Sequence, residues 1–290
     1  MPILLSDISV CIVSSKNTIQ IKILGVIMKI TLLANDKAEK NFNAEHGLSI
    51  YINHPIYKIL FDTGHTTVYL ENAKKLNVDL TKTEYIILSH GHYDHAGGLL
   101  HFPIKNKAQK IIIHQDAFHP KYAKDNYLRY NGIPYVKDDL LWAKELFNEV
   151  RGFSKIAPFF YVLGDIPHEE NNPKYYVDDK IDDFHDEMIL ILEEENELSL
   201  FMGCSHFGVK NGIEAVKQQF PNKKIKNLIA GMHLGSKNIL EIKDIADYLE
   251  SLDLDKIIPI HCTGDLALSY FKERFKDKCF LLKAGNQLHI

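Results

Sequence analysis

The sequence predicts an α/β protein made of two β-sheets covered by helices, and three observations carry that expectation. Short β-rich runs alternate with helical patterns along the chain. The first half is dense in strands, whereas the last third alternates strand and helix. No internal repeat or low-complexity linker interrupts the succession. With 290 residues, 46% of them hydrophobic and 25% charged, the chain can fill a layered core without disulfide or metal staples.

Residues 1–27 precede Met28, after which MKITLLAND reads as a clean first strand. The first 27 are expected to be an N-terminal extension that folds weakly or adds an edge strand, and 28–290 to form the main domain. Strands are expected at Ile30–Leu33, Leu48–Ile52, Tyr57–Phe61, Tyr85–Leu88, Lys110–Ile113, Met188–Leu192, Leu198–Met202, Asn227–Ala230, Lys256–Ile260 and Cys279–Leu282. Helices are expected at Thr67–Leu76, Asp138–Asn148, Ile213–Phe220, Ile239–Leu252 and Leu266–Phe275. In Ile239–Leu252 the apolar residues Ile239, Ile242, Ile245, Ala246 and Leu249 keep a helical stripe. An aromatic-rich insertion at about 115–184 interleaves Tyr122, Tyr127, Tyr130, Tyr135, Tyr175 and Tyr176 with Pro and Asn. Two readings of it stand side by side: a surface insertion whose aromatics pack locally, or a cap whose rings stack on a planar ligand.

Composition narrows the function. Lys and Arg number 34 against 38 Asp and Glu, a net charge of -4, so nucleic acid is not an expected partner. No run of about 18 apolar residues suggests a membrane span. The N-terminus lacks the basic region and cleavage site of a secretory signal. Cys11, Cys204, Cys262 and Cys279 are scattered without a CxxC pair, which suits a reducing, cytoplasmic compartment.

The chain's 15 histidines carry the chemistry. Tyr85-Ile-Ile-Leu-Ser-His90-Gly-His92-Tyr-Asp94-His95-Ala-Gly-Gly98 runs from a buried-type strand into four metal-capable side chains within six residues. His90 and His92, two apart at a strand exit, can point to the same side; Asp94 and His95 follow where a helix starts. Imidazole and carboxylate at this density suit zinc, with iron or manganese as less favoured occupants. Three further strands end on a glycine or a histidine of the same kind: Gly203-Cys204-Ser205-His206, Gly231-Met-His233 and His261-Cys-Thr-Gly264. Strand ends gather at one edge of a sheet, so these histidines can converge.

The set Phe61-Asp62-Thr63-Gly64, His90 to His95, His206 and His261 resembles the metallo-β-lactamase-fold superfamily. More narrowly, Ala44-Glu-His-Gly-Leu48, LSHGHYDHAGGL, Asp183-x-x-Asp186-Glu187, GCSH, Gly231-Met-His-Leu234 and HCTG resemble the 7,8-dihydropterin-6-methyl-4-(β-D-ribofuranosyl)aminobenzene 5′-phosphate synthase-like subfamily. The resemblance spans about Met28 to the C-terminus and implies an αββα sandwich of two mixed sheets flanked by helices, with two divalent ions at one edge.

Carried over residue by residue, it implies that His90, His92 and His206 hold the first metal, and Asp94, His95 and His261 the second. Cys204 takes the place where many relatives carry a bridging Asp, which leaves three roles open: bridging ligand, non-ligand or small packing residue. Asp62 is expected to fix a loop or a ligand rather than bind metal. His233 is expected to act catalytically by contacting substrate or intermediate, or else to orient a loop. His46 and His65 are candidates for the site rim, whereas His54, His101, His114, His119 and His289 default to packing or surface roles. Where the subfamily tends to carry an Arg after a Gly-x-x-Pro turn, this chain has His168, a weaker grip on a substrate phosphate.

Two metals that ionise a shared water imply hydrolysis of an ester, phosphoester or related small molecule, with Asp94 aiming the nucleophile. The subfamily implies instead a transferase joining a phosphorylated ribose derivative to a pterin at the same site. A nuclease shares HxHxDH but wants a basic groove, which the net charge does not favour.

Overall fold

The computed structural model describes residues 9–15, 18–24, 28–103, 109–168, 174–194 and 196–290. In the N-terminal extension, β1 (Ser9–Ser15) and β2 (Thr18–Leu24) pair antiparallel as a two-stranded sheet of their own. The rest of the extension lies outside the described residues.

The first large sheet has seven strands. It contains β3 (Lys29–Ala34), β4 (Ser49–Asn53), β5 (Lys58–Phe61), β6 (Tyr85–Ile87), β7 (Lys110–His114), β10 (Phe147–Val150) and β19 (Gln287–His289), in the order β10-β7-β6-β5-β4-β3-β19. The second has six: β11 (Phe153–Ala157), β12 (Phe160–Leu163), β15 (Ile189–Glu194), β16 (Glu197–Met202), β17 (Lys224–Gly231) and β18 (Lys256–Ile260), hydrogen-bonded in that order. Both are mixed: β5, β6, β7 and β10 run parallel, as do β16, β17 and β18, and the remaining pairs are antiparallel.

The period-2 alternation of each strand decides how the layers meet. Ile59 and Phe61 of β5 join the core between the two sheets, together with Leu190, Phe201, Ile229 and Ile258 from the opposite side. Leu60, between them in sequence, faces the other way and packs with Tyr69 and Ala73 of α1 (Val68–Lys75). The far face of the six-stranded sheet is covered by α3 (Val209–Gln219), α4 (Ile239–Ser251) and α5 (Asp265–Phe275) through Ile213, Val216, Ile242, Leu249 and Phe271. Helices thus cover the outer faces of two face-to-face sheets, as the sequence predicts. The stripe expected in α4 buries Ile242, Ala246 and Leu249. The helix starts at a capping box: Asn238 accepts from the N–H of Glu241 at 3.2 Å while Glu241 accepts from that of Asn238 at 2.9 Å. Among the described residues no helix is long and apolar enough to cross a membrane.

Two expected elements differ. Residues 138–148 do not form an α-helix: Lys137–Ala143 is a 3₁₀ segment broken at Leu140, and Phe147–Val150 is strand β10. Leu140 and Ala143 are both buried, and a spacing of three serves a 3₁₀ turn as well as an α-helix. Cys279–Leu282 is not a strand either; it makes one parallel bridge from Cys279 to Ile257. The last strand is the polar β19, which covers the edge of β3.

The stretch expected as an insertion at about 115–184 is only partly one: Phe147–Val150, Phe153–Ala157 and Phe160–Leu163 are strands β10, β11 and β12 of the two large sheets, and the rest supplies a separate four-stranded antiparallel sheet. Its strands are β8 (Lys121–Lys124), β9 (Leu128–Tyr130), β13 (Tyr175–Val177) and β14 (Lys180–Ile181). It is fastened to the body by a buried ion pair, Lys121 Nζ to Asp186 Oδ2 at 3.2 Å.

Candidate metal centre

The C-terminal ends of β3, β5 and β6 in one sheet, and of β16, β17 and β18 in the other, deliver the polar residues of the site. The loops there are tightly held. Asp62, Ser205, His233 and His261 each follow a strand with positive φ, at 59°, 57°, 49° and 47°. Such backbone persists in non-glycine residues only where the surroundings over-determine it. Gly203 and Gly231 let two strand ends approach: a Cβ at Gly231 would lie 2.1 Å from the carbonyl oxygen of Gly203, and one at Gly203 would lie 2.3 Å from Ser89 Oγ.

The HGHYDH segment turns from β6 into the short helix α2 (Tyr93–Ala96). Gly91 N–H donates to Asp186 Oδ2 at 2.9 Å, so the Lys121–Asp186 pair also pins the turn between His90 and His92. His90 Nε2 lies 2.9 Å from His92 Nδ1, and their rings are 4.5 Å apart. The His206 ring stands 5.2 Å from that of His90 and 5.0 Å from that of His92. Donor atoms of His90, His92 and His206 lie within 4.8 Å of one another, an arrangement that could hold a metal ion.

A second group adjoins the first. Asp94 Oδ2 is 3.4 Å from His261 Nε2 and 3.9 Å from His95 Nε2, and the rings of His95 and His261 are 4.9 Å apart. Cys204 Sγ lies 3.2 Å from His95 Nε2 and shares further candidate donor groups with His90, with His206 and His233, and with His261 and Cys262. It stands between the two clusters. Asp62 does not face the donor atoms; its carboxylate accepts from His95 Nδ1 at 2.7 Å and from the N–H and Oγ of Ser89 at 2.7 and 2.8 Å.

The electrostatics sort the imidazoles. Burial pushes His90 and His206 below the usual histidine range, and His92 down to about 3. These rings are neutral at pH 7, so each keeps one unprotonated nitrogen to offer a Lewis acid. Asp94 is opposed by burial yet held well below the usual carboxylate range by His95, His261 and His92. Burial also works against a charged His261, but the carboxylates of Asp36 and Asp94, 3.3 and 3.4 Å from its ring nitrogens, raise it above the ordinary value. His92 Nε2, His206 Nε2 and both ring nitrogens of His261 are buried with no hydrogen-bond partner among the described residues. Orphaned polar atoms cost about 1–3 kcal/mol each, so the two on His92 and His206 indicate a missing occupant. The nitrogen, oxygen and sulfur donors fit divalent cations such as zinc.

His233 lies beside His206, with rings 4.6 Å apart, and its Nε2 is 3.5 Å from the Tyr175 hydroxyl. It lines two cavities. One, of about 420 Å³, is shared with Arg129, Lys174, Tyr175, Ser236 and Cys262, and the other, of about 470 Å³, with His168, Phe184 and Lys237. His168 hydrogen-bonds through Nε2 to the backbone oxygen of His206, so that nitrogen serves the loop. His65 is exposed and meets Tyr93 edge-on.

His46 is exposed at the edge of the site, with Nε2 3.2 Å from Asp94 Oδ2 and Nδ1 2.8 Å from Asp36 Oδ1. Asp36 also lies 3.3 Å from His261 Nδ1. Sequence reasoning missed Asp36, although a carboxylate directly after the first strand was the available signal. It also missed the role of Glu187, which is fully buried and accepts the N–H groups of Cys204 at 3.1 Å and His206 at 2.6 Å. Burial pushes its carboxyl up to about 8 against those donors. From the insertion, Phe184 stacks on His206 at 4.2 Å and Tyr175 on His92 at 6.1 Å.

Comparison with known proteins agrees with this geometry. The family model of the metallo-β-lactamase superfamily matches residues 43–192. A Methanocaldococcus jannaschii protein named uncharacterized protein MJ0448 is 34% identical over 248 residues, covering 83% of this chain and 92% of its own. The 7,8-dihydropterin-6-methyl-4-(β-D-ribofuranosyl)-aminobenzene-5′-phosphate synthase of the same organism is 31% identical over 279 residues, covering 89% and 95%. Among solved structures, Tm1679, described as a metal-dependent hydrolase of the β-lactamase superfamily, superposes with a TM-score of 0.78 at 30% identity, covering 91% of this chain and 99% of its own. The chain belongs to the metallo-β-lactamase superfamily.

Proposed function

We propose that the protein is a metal-dependent hydrolase of a small ester, phosphoester or related substrate, working through two divalent cations, zinc by preference. His90, His92 and His206 would hold one cation and Asp94, His95 and His261 the other, with Cys204 placed to bridge them. A bound pair of this kind lowers the pKa of water toward about 7 and polarises the oxygen of the attacked group. The observation that carries the reading is the convergence of the buried, unpartnered Nε2 atoms of His92 and His206 with the adjoining group of His95, His261 and the ionised Asp94.

The chain's own residues supply the rest. Asp94, kept as a carboxylate, accepts a hydrogen bond from the attacking water and orients it. Asp62 fixes the His95 ring through Nδ1, so that Nε2 faces the site. Glu187 holds the backbone of the turn carrying Cys204 and His206. Phe184 and Tyr175 cover His206 and His92 and keep bulk water from one side. His233, open to two cavities, is placed to hydrogen-bond substrate.

A second reading, a transferase acting on a phosphorylated pterin-type compound, is favoured by the 31% identity to the named synthase over 89% of this chain. Arg129 and Tyr175 at one cavity would offer a cation and an aromatic face to such a substrate. The test is elemental analysis of the purified protein, with turnover assays on phosphodiester, thioester and lactone substrates and on a pterin diphosphate with a phosphorylated ribose acceptor. Hydrolysis of one of the first three, lost in His92→Ala, supports the first reading. Diphosphate release only with both synthase substrates supports the second.

A further inference from the structure

Cys204 and Cys262 leave different strands, β16 and β18, with β17 between them. At the end of β17 stands Gly231, where a Cβ would lie only 3.0 Å from Cys262 Sγ. The bare glycine opens a notch through which Cys262 reaches across the intervening strand, its Sγ 3.6 Å from the Cys204 carbonyl oxygen. Donor atoms of Cys204, His261 and Cys262 lie within 4.8 Å of one another, so the two sulfurs are no further apart than that. Cys262 is half-buried and lines the cavity of about 420 Å³ shared with Tyr175 and His233, whereas Cys204 is 4% exposed. One thiol is therefore reachable by a small solute and the other waits behind it.

We infer that Cys204 and Cys262 form an oxidisable dithiol, converted to an intramolecular disulfide by low-molecular-weight disulfides. Cys262 Sγ attacks the solute's S–S bond, giving a mixed disulfide and one released thiol, which carries off the Cys262 proton. Cys204 Sγ then attacks the Cys262 sulfur, and its proton leaves with the second thiol. Two S–H bonds and one S–S bond are lost; one protein S–S bond and two solute S–H bonds form. Closure takes the sulfurs from within 4.8 Å to about 2.05 Å and draws the turns after β16 and β18 toward each other across Gly231. The oxidised pair withdraws Cys204 from His95 Nε2, and the chemistry does not depend on whether the metal reading holds.

The test uses the full-length protein, stripped with a chelator and exposed to 2-hydroxyethyl disulfide. Free thiols are then alkylated after unfolding, and peptides are mapped by mass spectrometry. A mass loss of about 2 Da, a cross-linked peptide pair containing Cys204 and Cys262, and reversal by dithiothreitol are expected. The loss should vanish in both Cys204→Ser and Cys262→Ser, so one well-folded variant suffices. Recovery of both residues as alkylated thiols, or persistence of the mass loss in either variant, would overturn the inference.

Discussion

Asp62 Oδ2 lies 2.7 Å from His95 Nδ1, and both side chains are fully buried. The same carboxylate accepts two hydrogen bonds from Ser89, the residue before His90. One acidic group after β5 thus fixes both ends of the HxHxDH segment. Asp62→Ala should lower metal affinity about 10- to 100-fold and cost about 1–3 kcal/mol of stability, because the Ser89 N–H is left buried without an acceptor. Isothermal titration with Zn(II) and urea unfolding check the two effects separately.

His92→Ala and His261→Ala should each lower bound metal and abolish turnover while leaving the fold largely intact. His92 Nε2 has no hydrogen-bond partner among the described residues, so truncating that ring removes a desolvation penalty along with packing. Circular dichroism should be unchanged, and stability without metal should shift by no more than about 3 kcal/mol.

Lys121→Met should destabilise the protein by about 3–5 kcal/mol, since it leaves the Asp186 carboxylate buried and unpaired. The pair also imposes a pH dependence. Burial opposes ionisation of Asp186, yet Lys121 and the Gly91 N–H hold its pKa below the ordinary value. Its contribution is therefore present above the unfolded value of about 3.9 and lost as pH falls through the lower folded one. Lys121, raised by Asp186 against burial, contributes below the unfolded value of about 10.4 and loses that contribution as pH rises through its higher folded value. Denaturant titrations across pH 2 to 8 should show a smaller acid loss in the variant than in the wild type.

Gly203→Ala should disturb the centre without touching a donor. Its Cβ would fall 2.3 Å from Ser89 Oγ and 2.8 Å from Ser89 Cβ, a clash worth about 1–3 kcal/mol. Ser89 cannot yield without loosening its bonds to Asp62. Reduced Zn(II) affinity with retained secondary structure is the expected result.

The layers were legible because they rest on local pattern, and HGHYDH stood out because four metal-capable side chains fall within six residues. The ligand roles of His206 and His261 entered instead through the family resemblance. Ile59-Leu60-Phe61 alternates between two cores, and HGHYDH packs its chemistry into one turn. Asp36 and Lys121 were not legible. Their roles depend on partners distant in sequence, His261 and Asp186, that only the tertiary fold brings near. Residues 138–148 misled because buried residues at a spacing of three suit a 3₁₀ segment too. β19 has a single core-packing residue, Leu288, between Gln287 and His289, too short a signal to read, and it pairs along the β3 edge.

On this proposal the imidazoles of His90, His92, His95, His206 and His261 and the carboxylate of Asp94 enclose a pair of cations. Elemental analysis of the purified protein, dialysed after incubation with excess Zn(II), tests it directly. The account predicts two ions per chain in the wild type and fewer in His92→Ala. A folded wild-type chain that retains no divalent metal would contradict it.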